Sequence, residues 1–137
     1  DHIDRIEPAL KSGKTVISHR CMWSNLPYGM IDFGISDFDQ DEGRVVDVAH
    51  GLMSSYYQFV IPDITFYLRV SAKTAIKRLQ EKNQKLELYE KEMKLEKVAM
   101  GYEWEIKKFP EEFVVIDGEK SPLEISKEVI EYINSYE

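Results

Sequence analysis

Residues 64–70, ITFYLRV, are the clearest β-strand in the sequence. Apolar side chains recur at every second position of this stretch, and a period of two is typical of a strand. Pro62 ends the helix predicted before it, because proline cannot continue a helix. The strand therefore gives a fixed point from which the other elements can be assigned. Its apolar positions are Ile64, Phe66, Leu68 and Val70.

Two helices, a second strand and a final helix are predicted after this strand. Ser71 can act as the N-cap of the first helix, and apolar residues spaced three or four apart predict a long second helix over about 86–108. Residues 113–117, FVVID, have the composition of a strand. Ser121-Pro122-Leu123-Glu124 supplies an N-cap, a proline at the first helical position and a capping-box glutamate, which predicts a last helix through Tyr136.

The residues before the strand predict two more helices and another strand. Residues 1–12 predict a helix that Pro8 kinks and the next glycine ends. Residues 14–18, KTVIS, are short and β-branched, which indicates a buried strand. Proline and glycine among aromatic residues predict a long functional loop or broken helix over 19–36. A wide apolar face predicts a helix over about 38–59 that is buried on more than one side.

The resulting order is α, β, α, β, α, α, β, α. Strands that alternate with helices are typical of an α/β layer fold with a parallel sheet. Neither an internal repeat nor a linker interrupts the pattern, so we expect a single domain over residues 1–137.

The composition is that of a soluble globular domain. Of the 137 residues 43% are apolar and 31% are charged, and the formal net charge is -7. The negative charge and the lack of a basic block argue against binding a nucleic-acid polymer. No apolar run approaches the length of a membrane span. One cysteine excludes an internal disulfide and fits a reducing, cytoplasmic compartment.

Three motifs look functional but have simpler explanations. Gly13-Lys14-Thr15 resembles the end of a phosphate loop, yet it follows a helix, whereas such a loop lies between a strand and a helix. Three alternating aspartates match the start of a calcium loop that lacks its glycine and its closing glutamate, so we interpret them as helix caps. They are Asp37, Asp39 and Asp41. The histidines have no metal-ligand spacing, and no metal site is predicted: His2, His19 and His50.

Residues 18–28, SHRCMWSNLPY, carry the most information about function. Arg20 follows the strand predicted at 14–18, at the edge where parallel sheets bind ligands, and an arginine there can clamp a phosphate. From spacing alone, a structural ion pair explains Arg20 slightly better. Cys21 and His19 could form a thiolate pair, but a small buried cysteine is the simpler interpretation.

Together these stretches resemble the thymidylate kinase family, with the archaeal branch closest. The match is carried by an ordered set over nearly the whole chain: Pro8-Ala9-Leu10, Gly13, Val16 to Arg20, Ser24, Tyr28, Pro62 to Leu68, Arg78-Leu79, Gly101-Tyr102 and Val115 to Gly118. The resemblance implies a phosphate-loop nucleoside monophosphate kinase fold, with three α/β/α layers. It also implies that the chain corresponds to the C-terminal two-thirds of such an enzyme and is incomplete at its N-terminus.

The resemblance implies ATP-dependent phosphorylation of dTMP, with magnesium, by a cytoplasmic homodimer. The substrate-binding residues would be Arg20, Ser24, Asn25 and Tyr28, with Arg20 also catalytic. A lid over about 78–92 would supply Arg78, as a catalytic and ATP-binding residue, together with Lys82 and Lys85. The loop after the last strand would lie near the adenine of ATP, with Asp117, Gly118 and Lys120. The predicted helix over 38–59 is a candidate dimer interface, although burial within the chain explains its apolar face equally well.

The chain also departs from the family pattern. His19 replaces an aspartate that can support magnesium, and a neutral imidazole cannot do the work of a carboxylate at a hard cation. Cys21, Asn25 and Gly29 stand where the family usually has tyrosine, serine and glutamine, and the family's first strand, phosphate loop and second strand have no counterpart in these residues. A non-catalytic nucleotide-binding or interaction protein is therefore the alternative. A third possibility is a kinase of the same fold for another monophosphate. We expect the 137 residues alone to be inactive.

Overall fold

The computed structural model describes residues 2–35, 37–38, 40, 42–55, 61–81 and 88–136, without the side chains of 2, 3 and 88–92. They form two compact units, Asp1–Pro62 and Asp63–Glu137. The single domain over the whole chain stays a prediction.

The first unit begins with a helical segment that changes type. A π-helical turn over His2–Ile6 leads into α1, Glu7–Lys11. Pro8 lies in the first turn of α1, where a missing N–H breaks no hydrogen bond within the helix. Gly13 has φ +77°, a left-handed conformation that favours glycine. The predicted helix stop at Gly13 is confirmed.

The strand predicted over residues 14–18 is absent from the structure. These residues have no regular secondary structure, and the Ile17 side chain is 91% exposed. A strand exists only in a hydrogen-bonded ladder, and no part of the chain that the structure describes pairs with this segment. The β-branched composition alone was not enough to form one.

Residues 19–36 are more regular than predicted, because they contain helix α2, Met22–Asp32. Pro27 lies inside α2 and removes one backbone hydrogen bond. The burial of the surrounding face compensates, since its apolar side chains pack into the core of this unit. They are Trp23, Leu26, Pro27 and Met30. Gly34, with φ +79°, follows the end of α2.

Helix α3, Glu42–Ser54, is shorter than the predicted 38–59, and residues 56–60 lie outside the described part. Val45 and Ala49 are its buried residues. Helices α2 and α3 contact each other closely, because a Cβ atom on Gly29 would lie only 2.7 Å from Cδ1 of Leu52. Burial within this unit therefore explains much of the apolar face of α3.

The second unit is built on a parallel sheet, as predicted. Strand β1, Phe66–Arg69, pairs with β2, Val114–Asp117, in a register that aligns Phe66 with Val114. The described residues of this unit form three α-helices, and a 3₁₀ turn over Pro110–Glu112 precedes β2. The helices are α4, Ala72–Glu81; α5, Leu88–Lys108; and α6, Pro122–Ser135.

The caps predicted for this unit are confirmed. The Ser71 hydroxyl accepts a hydrogen bond from the Thr74 amide at 3.1 Å, which caps α4. At the start of α6 the Ser121 hydroxyl accepts from the Glu124 amide, and the Glu124 carboxylate accepts from the Ser121 amide. This reciprocal pair is the predicted capping box.

The two strands are unequally covered. On one face of the sheet Ile116 is 4% exposed, whereas Leu68, its partner in the register, is 46% exposed. On the other face the Tyr67 ring contacts the Tyr102 ring of α5, with centroids 5.0 Å apart. Arg69, at the end of β1, donates two hydrogen bonds of 2.7 Å to Glu103 of α5. These contacts fix α5 against β1.

Candidate functional site

The candidate residues of the first unit lie at the start of α2. Arg20 is exposed and lies two residues before the first residue of the helix, with Cys21 between them at the N-cap in extended backbone. Ser24 donates its hydroxyl to the Cys21 carbonyl at 3.0 Å. Ser24 and Tyr28 are four residues apart, so they share one face of α2, and Asn25 is adjacent to that face. The structure thus brings together the predicted substrate-binding residues of this unit.

The Arg20 side chain is held over an aromatic ring. Its guanidinium carbon lies 5.6 Å from the centroid of the Tyr28 ring, within the range of a cation–π contact. Among the residues that the structure describes, no carboxylate forms an ion pair with Arg20. Within that part of the chain, the structural ion pair considered from the sequence therefore has no carboxylate partner.

Two features at this place favour a bound anion. The N-terminus of a helix carries partial positive charge and unsatisfied N–H groups, and it is a common site for phosphate. Helix α2 has eleven residues and begins two residues after Arg20. An arginine can bind a phosphate bidentately, so Arg20 and the α2 N-terminus are both candidates to bind one.

The described residues contain no group of three or more His, Cys, Asp or Glu side chains that could hold a metal ion. Asp39 and Asp41 lie outside that part of the chain. His19 is exposed, and the half-buried Cys21 lies at the N-cap of α2. Both interpretations of Cys21, a thiolate pair with His19 and a small apolar side chain, therefore stay predictions.

The candidate residues of the second unit lie in the turn after β2. Asp117 accepts a hydrogen bond from the Glu119 amide at 3.0 Å, and Gly118 donates to the Arg69 carbonyl at 2.8 Å. A Cβ atom on Gly118 would lie 2.7 Å from Val70 Cγ1 and 2.9 Å from the Arg69 carbonyl oxygen. Glycine is needed here because the turn packs directly on the backbone that joins β1 to α4.

The charged candidates of this unit have different surroundings. Lys120 forms an ion pair with Glu128 of α6, and this hydrogen bond raises the Lys120 pKa. Arg78 is exposed in the last turn of α4. Lys82 and Lys85, predicted in the lid, lie outside the described residues. The structure thus describes Arg78, Asp117, Gly118 and Lys120 in one unit, with Lys120 held by α6.

Glu119 is a functional candidate that sequence reasoning missed. Its carboxylate accepts a hydrogen bond from the Ser71 amide at 2.8 Å, although the two residues are 48 positions apart. This bond is the main cause of a lowered Glu119 pKa, and the Arg78 charge contributes to the same effect. No local pattern in the sequence signals a contact of this range.

Glu105 is a second group that was missed. It is 0% exposed on α5, and among the described residues its carboxyl oxygens have no hydrogen-bond partner. Burial raises its pKa to about 9. Burial also raises the pKa of Tyr67 to about 12, with smaller contributions from nearby charges that include Glu105. The spacing from Val98 and Tyr102 was an available signal, since it places Glu105 on the apolar face of the helix.

No helix in the described part of the chain is both long enough and apolar enough to cross a membrane.

Similarity to known proteins covers nearly the whole chain. A family model described as thymidylate kinase matches residues 1–130. A thymidylate kinase of Leptospira borgpetersenii is 32% identical over 126 residues, which cover 92% of this chain and 55% of the relative. A probable thymidylate kinase of Halorubrum lacusprofundi is 33% identical over 138 residues, which cover 98% of this chain and 66% of the relative. A thymidylate kinase of Caldanaerobacter subterraneus is 32% identical over 136 residues, which cover 97% of this chain and 60% of the relative. The chain thus spans between 55% and 66% of the length of these relatives.

Proposed function

The chain belongs to the thymidylate kinase family, and on that premise we propose that it transfers the terminal phosphoryl group of ATP to dTMP as part of a longer chain. The observation that carries the proposal is Arg20, which lies over Tyr28 at the start of α2 with no carboxylate partner among the described residues. Phosphoryl transfer depends mainly on positioning and on positive charge near the reacting oxygens. Arg20 supplies both at the site of the monophosphate.

On the substrate side, the face of α2 that carries Ser24 and Tyr28 binds dTMP. Arg20 and the α2 N-terminus bind the phosphate, which carries the negative charge that both attract. The Tyr28 ring holds the Arg20 guanidinium through a cation–π contact. Ser24 and Asn25 belong to the same binding surface, where the Asn25 side chain is exposed.

On the ATP side, the turn at Asp117–Lys120 binds next to the adenine, and Arg78 with Lys82 belongs to a lid over about 78–92. A lid of this kind excludes water while the phosphoryl group moves. The phosphate loop of ATP-binding enzymes has no counterpart in these residues, so we propose that phosphoryl transfer needs residues beyond the 137. The intact mass of the purified protein tests whether these residues belong to the same chain. A larger mass supports the proposed longer chain, and a mass equal to that of 137 residues would contradict it and move the search to a partner chain or to the rival binding role.

Magnesium accompanies ATP in the family, but the described residues do not fit a protein-bound magnesium site. They hold no cluster of metal-binding side chains, and His19 is not a carboxylate. We therefore assign no magnesium ligand to them and derive no step through the metal. From the family resemblance we also propose a cytoplasmic homodimer, with the apolar face of α3 as its candidate interface, although burial within the unit already explains much of that face.

Replacement of Arg20 tests the proposed function. In the intact enzyme, Arg20→Ala should weaken dTMP binding by about 10- to 100-fold, the usual effect of losing a hydrogen-bonded charge, and should cut turnover at least as much. Arg20→Lys keeps the charge without the bidentate geometry, so it should recover only part of the loss. Calorimetric titration with dTMP and a circular dichroism spectrum separate binding from folding. Unchanged affinity in a folded Arg20→Ala variant would contradict the proposal.

The rival is a nucleotide-binding or interaction protein without catalysis, and the histidine at position 19 favours it. Titration with dTMP, dUMP and UMP distinguishes the possibilities, because Asn25 and Gly29 alter the pocket that selects the base. Preference for dTMP with turnover supports the kinase. Binding without turnover supports the rival, and His19→Asp should then be tested for restored activity. No binding to any of the three nucleotides would contradict both the dTMP kinase and a kinase of the same fold that acts on another monophosphate.

A further inference from the structure

The turn after β2 is joined to the start of α4 by one side chain. Glu119 projects from this turn, and its carboxylate accepts a 2.8 Å hydrogen bond from the Ser71 amide. Ser71 is also the residue whose hydroxyl caps α4. The first turn of α4 is thus held by a local hydroxyl and by a carboxylate from a different part of the chain.

Helical spacing connects this contact with Arg78. Residues 71, 74 and 78 are separated by three and four positions, so they follow one face of α4. Glu119 hydrogen-bonds to Ser71, and the Thr74 and Arg78 side chains contribute to the lowered Glu119 pKa. Glu119 therefore lies along the face of α4 that carries Arg78 in its last turn.

The rest of the turn reinforces the same junction. Gly118 donates to the Arg69 carbonyl at 2.8 Å and has no room for a side chain against Val70. Asp117 accepts from the Glu119 amide, which fixes the backbone that carries the carboxylate. A shift of α4 would therefore have to break the bond to Glu119 or move the whole turn.

We propose that Glu119 is a positioning residue for ATP, which fastens α4 to the Asp117–Lys120 turn and so fixes Arg78 relative to that turn. The proposal rests on the proposed function, because it takes Arg78 and the turn as the two sides of the ATP site. Glu119 itself touches neither reacting group. Its effect is to keep two binding elements in one arrangement before ATP arrives, which lowers the cost of ordering them on binding.

Steady-state kinetics of the intact enzyme test the proposal. Glu119→Ala should raise the KM for ATP by about 10-fold, the effect of losing one hydrogen bond to a charged group, with the KM for dTMP unchanged. Glu119→Gln should recover part of the loss, since its amide oxygen can still accept from Ser71. Asp37→Ala is the matched control, because it also removes a carboxylate that accepts a backbone hydrogen bond, from the Gln40 amide in the other unit, and should leave the KM for ATP unchanged.

Amide hydrogen exchange supplies a readout that does not depend on activity. The Ser71 amide should exchange slowly in the wild type, faster in Glu119→Ala, and at an intermediate rate in Glu119→Gln. Faster exchange together with an unchanged KM for ATP would show that Glu119 is only a helix cap, and would overturn the proposal. Unchanged exchange would overturn the contact itself. A wild-type enzyme with a protected Ser71 amide that binds no ATP would instead overturn the proposed function, while the link between turn and helix stands.

Discussion

Gly29 has a structural role that competes with a role in binding nucleotide. A Cβ atom at this position would lie 2.7 Å from Cδ1 and 3.2 Å from Cδ2 of Leu52. The family often has glutamine here, but in this chain the space for a side chain is filled by Leu52 of α3. The absence of that glutamine is thus tied to the close approach of α2 and α3.

Substitution of Gly29 by glutamine should destabilise the first unit. We expect a net loss of about 1 kcal/mol, because the displacement of the Leu52 side chain costs more than the replacement of a glycine within a helix gains. Gly51→Gln in α3 is the matched control, since no atom lies within 4 Å of its Cβ position, and it should gain about 0.5–1 kcal/mol from helix propensity. Urea denaturation measures both. Equal stability of the two variants would show that Leu52 moves aside freely.

Glu105 makes the stability of the second unit depend on pH. Its folded pKa is about 9, whereas an unfolded glutamate titrates near its ordinary value of 4.5. Between these values the folded state holds a proton that the unfolded state has lost. Stability should therefore decrease as pH rises through this window, by at most about 1.4 kcal/mol per pH unit.

Glu105→Leu should remove that pH dependence. Leucine has no charge to desolvate and a similar volume, so the variant should be more stable than the wild type at pH 8 and should gain less at pH 5. Thermal denaturation at the two pH values measures the difference. Glu103→Gln serves as the control, because Glu103 is partly exposed and paired with Arg69, and should not flatten the profile. Identical pH profiles for wild type and Glu105→Leu would contradict the role of burial.

At the scale of the element, α6 is defined most sharply by its first turn. Ser121→Ala removes the capping hydroxyl and should cost about 1 kcal/mol of stability. Ser126→Ala is a matched change within the same helix, where the hydroxyl donates to the Pro122 carbonyl at 2.8 Å. Such a bond adds little to a helix, so this variant should be nearly neutral. Chemical denaturation compares the two, and equal losses would mean that the cap contributes nothing specific.

Elements with strong local signals could be predicted from the sequence. Helices α4, α5 and α6 and both strands of the sheet appeared where periodicity and caps placed them. Over residues 19–36 a functional loop or a broken helix was predicted, and the regular helix α2 was not, because Pro27 is a strong helix breaker whose effect the burial of the apolar face offsets. Residues 14–18 show the opposite case: a strand was predicted from their composition and none forms. A strand requires a hydrogen-bonded partner, which composition alone cannot supply.

The candidate site was predictable to the same extent. The grouping of Arg20 with Tyr28 followed from an ordered match of residue types, and the structure adds the 5.6 Å contact between the two side chains. Glu119 could not be found in this way, because its contact with Ser71 depends on the pairing of β1 with β2. Contacts of this kind arise from the assembled sheet and leave no periodic trace in the sequence.

At the scale of the whole molecule, the proposed function uses residues of different units for the two nucleotides. Arg20 belongs to Asp1–Pro62, and Glu119 belongs to Asp63–Glu137. Their described contacts stay within their own units. The two sites should therefore respond to substitution independently.

A double variant, Arg20→Ala with Glu119→Ala, tests this independence in the intact enzyme. Its KM for dTMP should equal that of the Arg20 single variant, and its KM for ATP should equal that of the Glu119 single variant, because effects at sites without shared partners add. Measured KM values for the four enzymes complete the cycle. A coupling larger than about 0.5 kcal/mol would show that the two nucleotide sites communicate.

The parallel pairing of β1 and β2 also affects the order in which parts of the second unit fold. The contact between Ser71 and Glu119 closes a segment of 48 positions that contains α4 and α5. Helices form in about a microsecond or less. Two distant strands pair more slowly, because closing the chain between them reduces its conformational entropy. Helical signal in this unit should therefore appear before the sheet, and the refolding rate should follow the search for the strand register. The turn that carries Glu119 is then among the last parts of the unit to form.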